Sequence, residues 1–178
     1  LSVDPSSQVH QGSILGDKSR MIELSRNPDA FVRPSPSGAS LGGVNLYTRE
    51  AILVCEAFGF DVVIVETVGI GQAEIAVFDI ADISLLLIQP GAGDELQAIK
   101  KGVMEWADYF VITKADGKTE ALANKSLQEL LHVRPAAHED GSGPRQNVFK
   151  TSAENGTGVV ELLEELLRQW ESMLRSDK

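Results

Sequence analysis

The feature of this sequence that most constrains its fold is an alternation. Short runs rich in β-branched and aliphatic residues, at 1–3, 62–65, 85–88, 109–112 and 147–150, are separated by helical patterns at 19–26, 45–57, 94–105, 120–131 and 158–174. Strands that alternate with helices predict an α/β chain with a mostly parallel central sheet. A parallel pair needs a long crossover, and the crossover helices cover both sheet faces. The final helix is written most clearly: Val159, Leu162, Leu163, Leu166, Leu167, Trp170 and Leu174 recur at helical spacing. Glu161 and Glu164 stand early in it and Arg168 and Arg175 late, which suits the helix dipole. Residues 33–43, rich in Pro, Ser and Gly, read as a loop. Residues 135–146, with His138-Glu139-Asp140-Gly141-Ser142-Gly143-Pro144, read as a flexible surface excursion. No internal repeat interrupts the pattern, and 178 residues suffice for a single domain spanning 1–178.

Composition narrows the function classes. The balance of 16 basic against 26 acidic residues gives a formal charge of −10. That argues against a general nucleic-acid binder, because neutralising phosphates along a strand needs a basic face. It leaves room for one nucleotide, where a few placed groups suffice. The single cysteine, Cys55, excludes an intrachain disulfide framework, and its neighbours Leu53 and Val54 favour packing over reactivity. No stretch is long and apolar enough to span a bilayer: the longest, 80–88, is interrupted by Asp82 and Ser84. No membrane role is expected, and no signal-peptide pattern is visible.

In open parallel sheets, ligands sit beyond the carboxyl ends of the strands. Each run here is followed there by polar or glycine-rich residues: Asp4-Pro5-Ser6-Ser7, Glu66-Thr67-Val68-Gly69-Ile70-Gly71-Gln72, Gln89-Pro90-Gly91-Ala92-Gly93-Asp94-Glu95, Thr113-Lys114-Ala115-Asp116 and Thr151-Ser152-Ala153. Thr113-Lys114-Ala115-Asp116 resembles the guanine-specificity box of GTPases, with Thr113 where Asn is usual. Guanine presents N1–H and an exocyclic amine, two donors in a row, and one carboxylate, Asp116, can accept both. Adenine lacks that pair. The Lys114 stem can cover the flat face of the base. A strand-end turn with solvated charges is the plainer reading of the same four residues. Thr151-Ser152-Ala153 resembles the box whose backbone also contacts guanine. Glu66-Thr67-Val68-Gly69 resembles the switch motif in which the acid acts on magnesium and the glycine amide, here Gly69, approaches the terminal phosphate. Glu66 could equally cap the segment that follows it. Three boxes in order, each at a strand end, point to a GTP/GDP-binding domain.

The chain resembles the methylmalonyl-CoA mutase-associated GTPases more narrowly. The residues that carry the likeness are Val3-Asp4-Pro5-Ser6-Ser7, Gly12-Ser13-Ile14-Leu15-Gly16-Asp17-Lys18, Arg33-Pro34-Ser35-Pro36, Leu41-Gly42-Gly43, Glu66 to Gln72, and Gly91-Ala92-Gly93-Asp94-Glu95-Leu96-Gln97. The resemblance implies a three-layer P-loop NTPase-type fold, GTP hydrolysis with Mg2+, and a cobalamin-dependent acyl-CoA mutase, methylmalonyl-CoA mutase, as partner. It implies a homodimer for the complete protein and a bacterial cytoplasmic or mitochondrial matrix location. Asp4, Asp17 and Glu66 fall on the family's acids near the metal, a donor set that suits magnesium. Glu66 and Asp17 are the implied catalytic acids. Residues 89–102, including Gly91, Asp94, Glu95, Gln97 and Lys100, fall on the segment that couples nucleotide state to the mutase. Asp4 before Pro5 also suits a simple turn, and Gly42-Gly43 a backbone turn.

One departure matters: a Gly-x-x-x-x-Gly-Lys-Ser/Thr loop is expected before Asp4, and the 178 residues do not contain it. Nor do they contain the first strand of such a domain or the helix after that loop. The implied function is a GTPase chaperone that gates cobalamin loading and protects the mutase. The alternatives are a catalytically dead partner-binding remnant and a related metallochaperone GTPase. The His-rich or Cys-rich tracts expected of the last are absent, His10, His132 and His138 being scattered. Residues 1–178 alone are expected to show no GTP turnover in a phosphate-release assay, since the amides and lysine that cradle phosphates are not among them. Magnesium-dependent turnover by these residues would show that another segment supplies the anion site.

Overall fold

The computed structural model describes residues 2–4, 21–36, 47–67, 77–91, 104, 106–133 and 147–176. The chain divides into two compact units, Leu1–Ala81 and Asp82–Lys178, and each holds a three-stranded, wholly parallel sheet.

In the first unit the elements are β1 (Ser2–Asp4), α1 (Ile22–Arg26), β2 (Pro34–Pro36), α2 (Thr48–Ala57) and β3 (Glu66–Thr67), and the sheet order is β2-β1-β3. Two details differ from the sequence expectation. The strand expected at 62–65 forms its ladder at Glu66–Thr67 instead. The register pairs Ser2 with Glu66 and Val3 with Thr67. Val62 and Ile64, outside the ladder, stand 65% and 73% exposed. The second difference is β2, which lies within a segment read as loop because of its prolines. It pairs with β1 through Val3 and Ser35. β2 pairs on one side only among the described residues, and a strand so placed tolerates proline because the donors on its other side face no ladder. Pro34 and Pro36 are alternate residues, so both missing donors face the same way.

Helix α2 starts without a side-chain cap. It ends where Gly59 takes φ +90°, a left-handed turn that glycine adopts without strain. There Gly59 N–H donates to Glu56 O at 2.9 Å and Phe60 N–H to Cys55 O at 3.2 Å, and Phe60 meets Phe31 with ring centroids 6.4 Å apart. Cys55 is free and half-buried on this helix, so it is less enclosed than its apolar neighbours suggest.

The second unit contains β4 (Leu85–Ile88), β5 (Tyr109–Ile112), α3 (Glu120–Val133), β6 (Asn147–Lys150) and α4 (Val159–Ser176), with sheet order β4-β5-β6. All three strands and both helices match the sequence pattern within two or three residues. The central strand β5 is buried along its whole length. On β4, Leu86 and Ile88 turn inward while Leu85 and Leu87 are exposed. Helix α3 packs on β5 through a buried stripe, Ala123, Ser126 and Leu130, at the three- and four-residue spacing that puts side chains on one face. Tyr109 and Phe149 extend the contact across to β6, ring centroids 6.1 Å apart. The helix expected at 94–105 and the excursion at 135–146 lie almost wholly outside the described residues, Met104 being the exception. Among the described residues no helix is long and apolar enough to cross a membrane.

Phe110 is fully enclosed on the central strand. Phe110→Ala should lower stability by about 3–5 kcal/mol, the cost of a large core truncation. Denaturant unfolding of the complete protein reads this as a drop in midpoint at unchanged m-value.

Candidate nucleotide-binding site

The parallel ladder of the second unit aligns the ends of its strands: Ile88 lies beside Ile112, and Ile112 beside Lys150. The residues that follow continue the ladder as single hydrogen bonds. Thr113 N–H donates to Ile88 O at 2.9 Å, Thr151 N–H to Ile112 O at 2.8 Å, and Ala115 N–H to Thr151 O at 3.0 Å. The Thr113 hydroxyl also donates to Ile88 O, at 3.3 Å. Threonine at this position thus fastens the base loop to the neighbouring strand.

Lys114 is the only non-glycine with positive φ among the described residues, at 52°. A left-handed backbone at a lysine costs of order 1–3 kcal/mol and persists only where surrounding bonds enforce it. Those bonds are present. The Thr119 hydroxyl lies against two carbonyls, Lys114 O and Asp116 O, the latter at 2.8 Å. Thr119 N–H closes a turn onto Asp116 O at 3.0 Å. The Lys114 ammonium donates to Gln89 Oε1 at 3.2 Å.

Asp116 and Ser152 meet directly, the serine hydroxyl donating to Asp116 Oδ2. The carboxylate is therefore fixed from one side, with lone pairs left on both oxygens for further donors. Ser152 is itself fully buried. Its N–H is committed to Thr157 O at 2.9 Å, and its carbonyl accepts Gly156 N–H at 3.0 Å. A backbone contact from the Ser152-Ala153 pair to a base therefore rests on the exposed Ala153 amide. The structure brings Thr113, Lys114, Asp116, Ser152 and Ala153 together in two adjoining loops after β5 and β6.

Sequence reasoning missed Gln89 and Thr119 as supports of this loop, and also Gly158. Proline at 90 and a hydroxyl three residues beyond Asp116 were the available signals. Gly158 has φ +71°, and a Cβ there would stand 1.9 Å from Lys150 O. Only glycine lets the start of α4 approach the end of β6 so closely.

The acids of the first unit are described less fully. Asp4 and Glu66 belong to adjacent parallel strands, with Asp4 two residues past the partner of Glu66, Ser2. Glu66 is exposed. Asp4 thus ends β1 while Glu66 begins the β3 ladder, and the two positions are offset by two residues along neighbouring strands. Asp17, Gly69, Asp94, Glu95, Gln97 and Lys100 lie outside the described residues, and of the implied coupling segment only the turn through Gly91 is described. Among the described residues no three His, Cys, Asp or Glu side chains gather into a metal-sized cluster.

An all-parallel α/β fold with a Lys-x-Asp loop braced by the loop of the next strand is that of a P-loop-type GTPase domain. The comparisons agree. The family model described as "Methylmalonyl Co-A mutase-associated GTPase MeaB" matches residues 1–178, and the chain belongs to that family. It is 53% identical over 176 residues to a putative GTPase of Caulobacter vibrioides, covering 97% of this chain and 53% of the relative. It is 45% identical over 176 residues to the mitochondrial methylmalonic aciduria type A homolog of Mus musculus, covering 99% of this chain and 42% of the relative. A crystal structure of a LAO/AO transport system kinase superposes with TM-score 0.67 at 34% identity, covering 86% of this chain and 47% of that one. The chain therefore spans about half the length of the relatives it matches.

Gly158→Ala should lower the thermal unfolding temperature and weaken binding of a fluorescent GDP analogue together, because the added methyl forces α4 away from the Ser152 loop. Unchanged unfolding and binding would mean that the approach of α4 to Lys150 is not required.

Proposed function

We propose that the complete protein binds and hydrolyses GTP with Mg2+, and that its nucleotide state gates cobalamin loading and protection of a cobalamin-dependent methylmalonyl-CoA mutase. The observation that carries the guanine reading is Asp116, a carboxylate braced by Ser152 at the end of a buried strand. The mutase reading rests on membership of the mutase-associated family.

At the base, Asp116 accepts the N1–H and the exocyclic amine of guanine, and the Ala153 amide supplies a backbone donor. The Lys114 stem lies along the base while its ammonium stays with Gln89. Asp4, Asp17 and Glu66 are the side chains that would hold magnesium, which neutralises phosphate charge when bound. Glu66, exposed at the edge of β3, would also orient water. The glycine-bearing turn that starts at Gln89, followed by Asp94, Glu95, Gln97 and Lys100, is the surface that would report nucleotide state to the mutase. The complete protein acts as a homodimer in this reading, in the bacterial cytoplasm or the mitochondrial matrix, wherever the mutase resides.

One variant tests base and partner together. Asp116→Asn offers a carbonyl to N1–H and an amide to the C2 carbonyl of xanthine, so preference should pass from guanine to xanthine nucleotides by at least about tenfold, since one misplaced partner costs on the order of 1–3 kcal/mol. The lifetime of the active mutase under turnover, extended by GTP with the wild-type protein, should then require XTP. An unaltered GTP preference removes Asp116 from base recognition. A switched preference without any nucleotide effect on the mutase removes the chaperone role.

A further inference from the structure

We propose that Gln89 is a positioning residue for guanine, holding the Lys114 ammonium so that the lysine stem is already laid where the base will lie. The proposal rests on the guanine reading of Lys114 and Asp116 given above, and adds a residue outside the base loop.

Gln89 is well placed because its own backbone is held on both sides. Register sets Ile88 beside Ile112, so Gln89 follows the last ladder residue of β4 and stands beside the start of the Thr113–Asp116 loop. Proline at 90 restricts the residue before it to extended conformations, so Gln89 continues the line of the strand. Gly91 then takes φ +84°, and a Pro–Gly pair with that angle fits the two central positions of a type II turn. The far side of the turn is anchored, since Gly91 N–H donates to Ser126 Oγ at 3.1 Å. Ser126 is buried on α3, 1% exposed. The Gln89 side chain therefore starts from a fixed point beside the loop, and Lys114 reaches its carbonyl oxygen at 3.2 Å in an exposed contact that restricts both side chains.

Lys114 needs such a partner. Its left-handed backbone sets the direction of the first bond of the side chain, but four further torsions remain free. An ammonium left in water samples them all, and a ligand would bear the cost of stopping them, up to about 2 kcal/mol for a lysine. A glutamine acceptor restricts the stem before the nucleotide arrives, which is preorganisation of the usual kind. The bond also ties the base loop to the first turn of the segment after β4. Any displacement of that turn would loosen Lys114, so Gln89 joins the nucleotide base to whatever moves residues 89–91.

The test uses the complete protein and a fluorescent GDP analogue, with the dissociation rate read by chase. Gln89→Ala should speed release two- to tenfold. Gln89→Glu keeps an acceptor and should restore slow release. In a Lys114→Met background Gln89→Ala should add nothing, since the two side chains act as one unit. Thermal unfolding without nucleotide should be alike in all variants. Wild-type release from Gln89→Ala would overturn the proposal, as would a fully additive effect with Lys114→Met, or equal acceleration in Gln89→Ala and Gln89→Glu with lowered unfolding temperature. Asp116→Asn run alongside separates the two claims. If its nucleotide preference does not change, the guanine reading itself fails. If preference changes while Gln89→Ala is silent, only the role of Gln89 fails.

Discussion

The loops that follow the strands of the second unit depend on a four-residue strand with no exposed face. Tyr109, Phe110, Val111 and Ile112 are all 2% exposed or less, pressed between two parallel neighbours and a helix. Burial of these side chains fixes the height at which the strand ends. Because the strands run parallel, that height is shared by β4 and β6. The three loops then leave from one edge, and hydrogen bonds from Thr113, Thr151 and Ala115 carry the order of the sheet one to three residues past the ladder. A loop built in this way inherits the rigidity of the core, as precise placement of a carboxylate demands.

Local strain sits at the end of that ordered stretch. Lys114 adopts a backbone conformation that lysine disfavours, and Asp116 and Gly117 complete the reversal into a short 3-10 turn. The strain is offset by bonds that are themselves cheap to form. One hydroxyl, that of Thr119, lies against the two carbonyls that flank Ala115, and one amide, that of Ala115, reaches the neighbouring loop. Ser152 then contributes a hydroxyl to the carboxylate, while its own backbone is closed by Thr157 and Gly156. Recognition in such a loop comes from geometry fixed before the ligand arrives rather than from the number of contacts.

Much of this was legible in the sequence, for a physical reason. Where a strand is buried on both faces its residues are uniformly apolar, so 109–112 stands out; 85–88 is as apolar although Leu85 and Leu87 are exposed, and 147–150 shows only through Val148 and Phe149. Where a helix has one wet face its period is visible, so 120–131 and 158–174 do too. The loop 113–116 stood out as a candidate because a lysine and an aspartate directly after an apolar run are hard to explain by packing. What escaped was decided by pairing rather than by side-chain type. Pro34–Pro36 carries loop composition but occupies a sheet edge, where missing donors do no harm. Residues 62–65 carry strand composition, yet the ladder forms at Glu66 and Thr67. Gln89 and Thr119 act through side-chain bonds that no periodicity encodes, and Gly158 is required by an approach between chain segments eight residues apart.

Charge and selectivity are separable in this design. A chain of formal charge −10 offers no general attraction to a nucleotide, and the group proposed to read the base is itself a carboxylate. Selection would nevertheless be favourable, because on that proposal Asp116 faces the donor edge of a neutral base, where an anionic acceptor makes stronger hydrogen bonds than a neutral one. Phosphates are the opposite case. In the proposed function, acids near the phosphates would repel them unless a dication stood between, since two like unit charges interact by about 4 kcal/mol at 4 Å at the effective dielectric near a protein surface. On that proposal the acids that make phosphate binding unfavourable alone would make it dependent on metal, whereas reading of the base by Asp116 would need none.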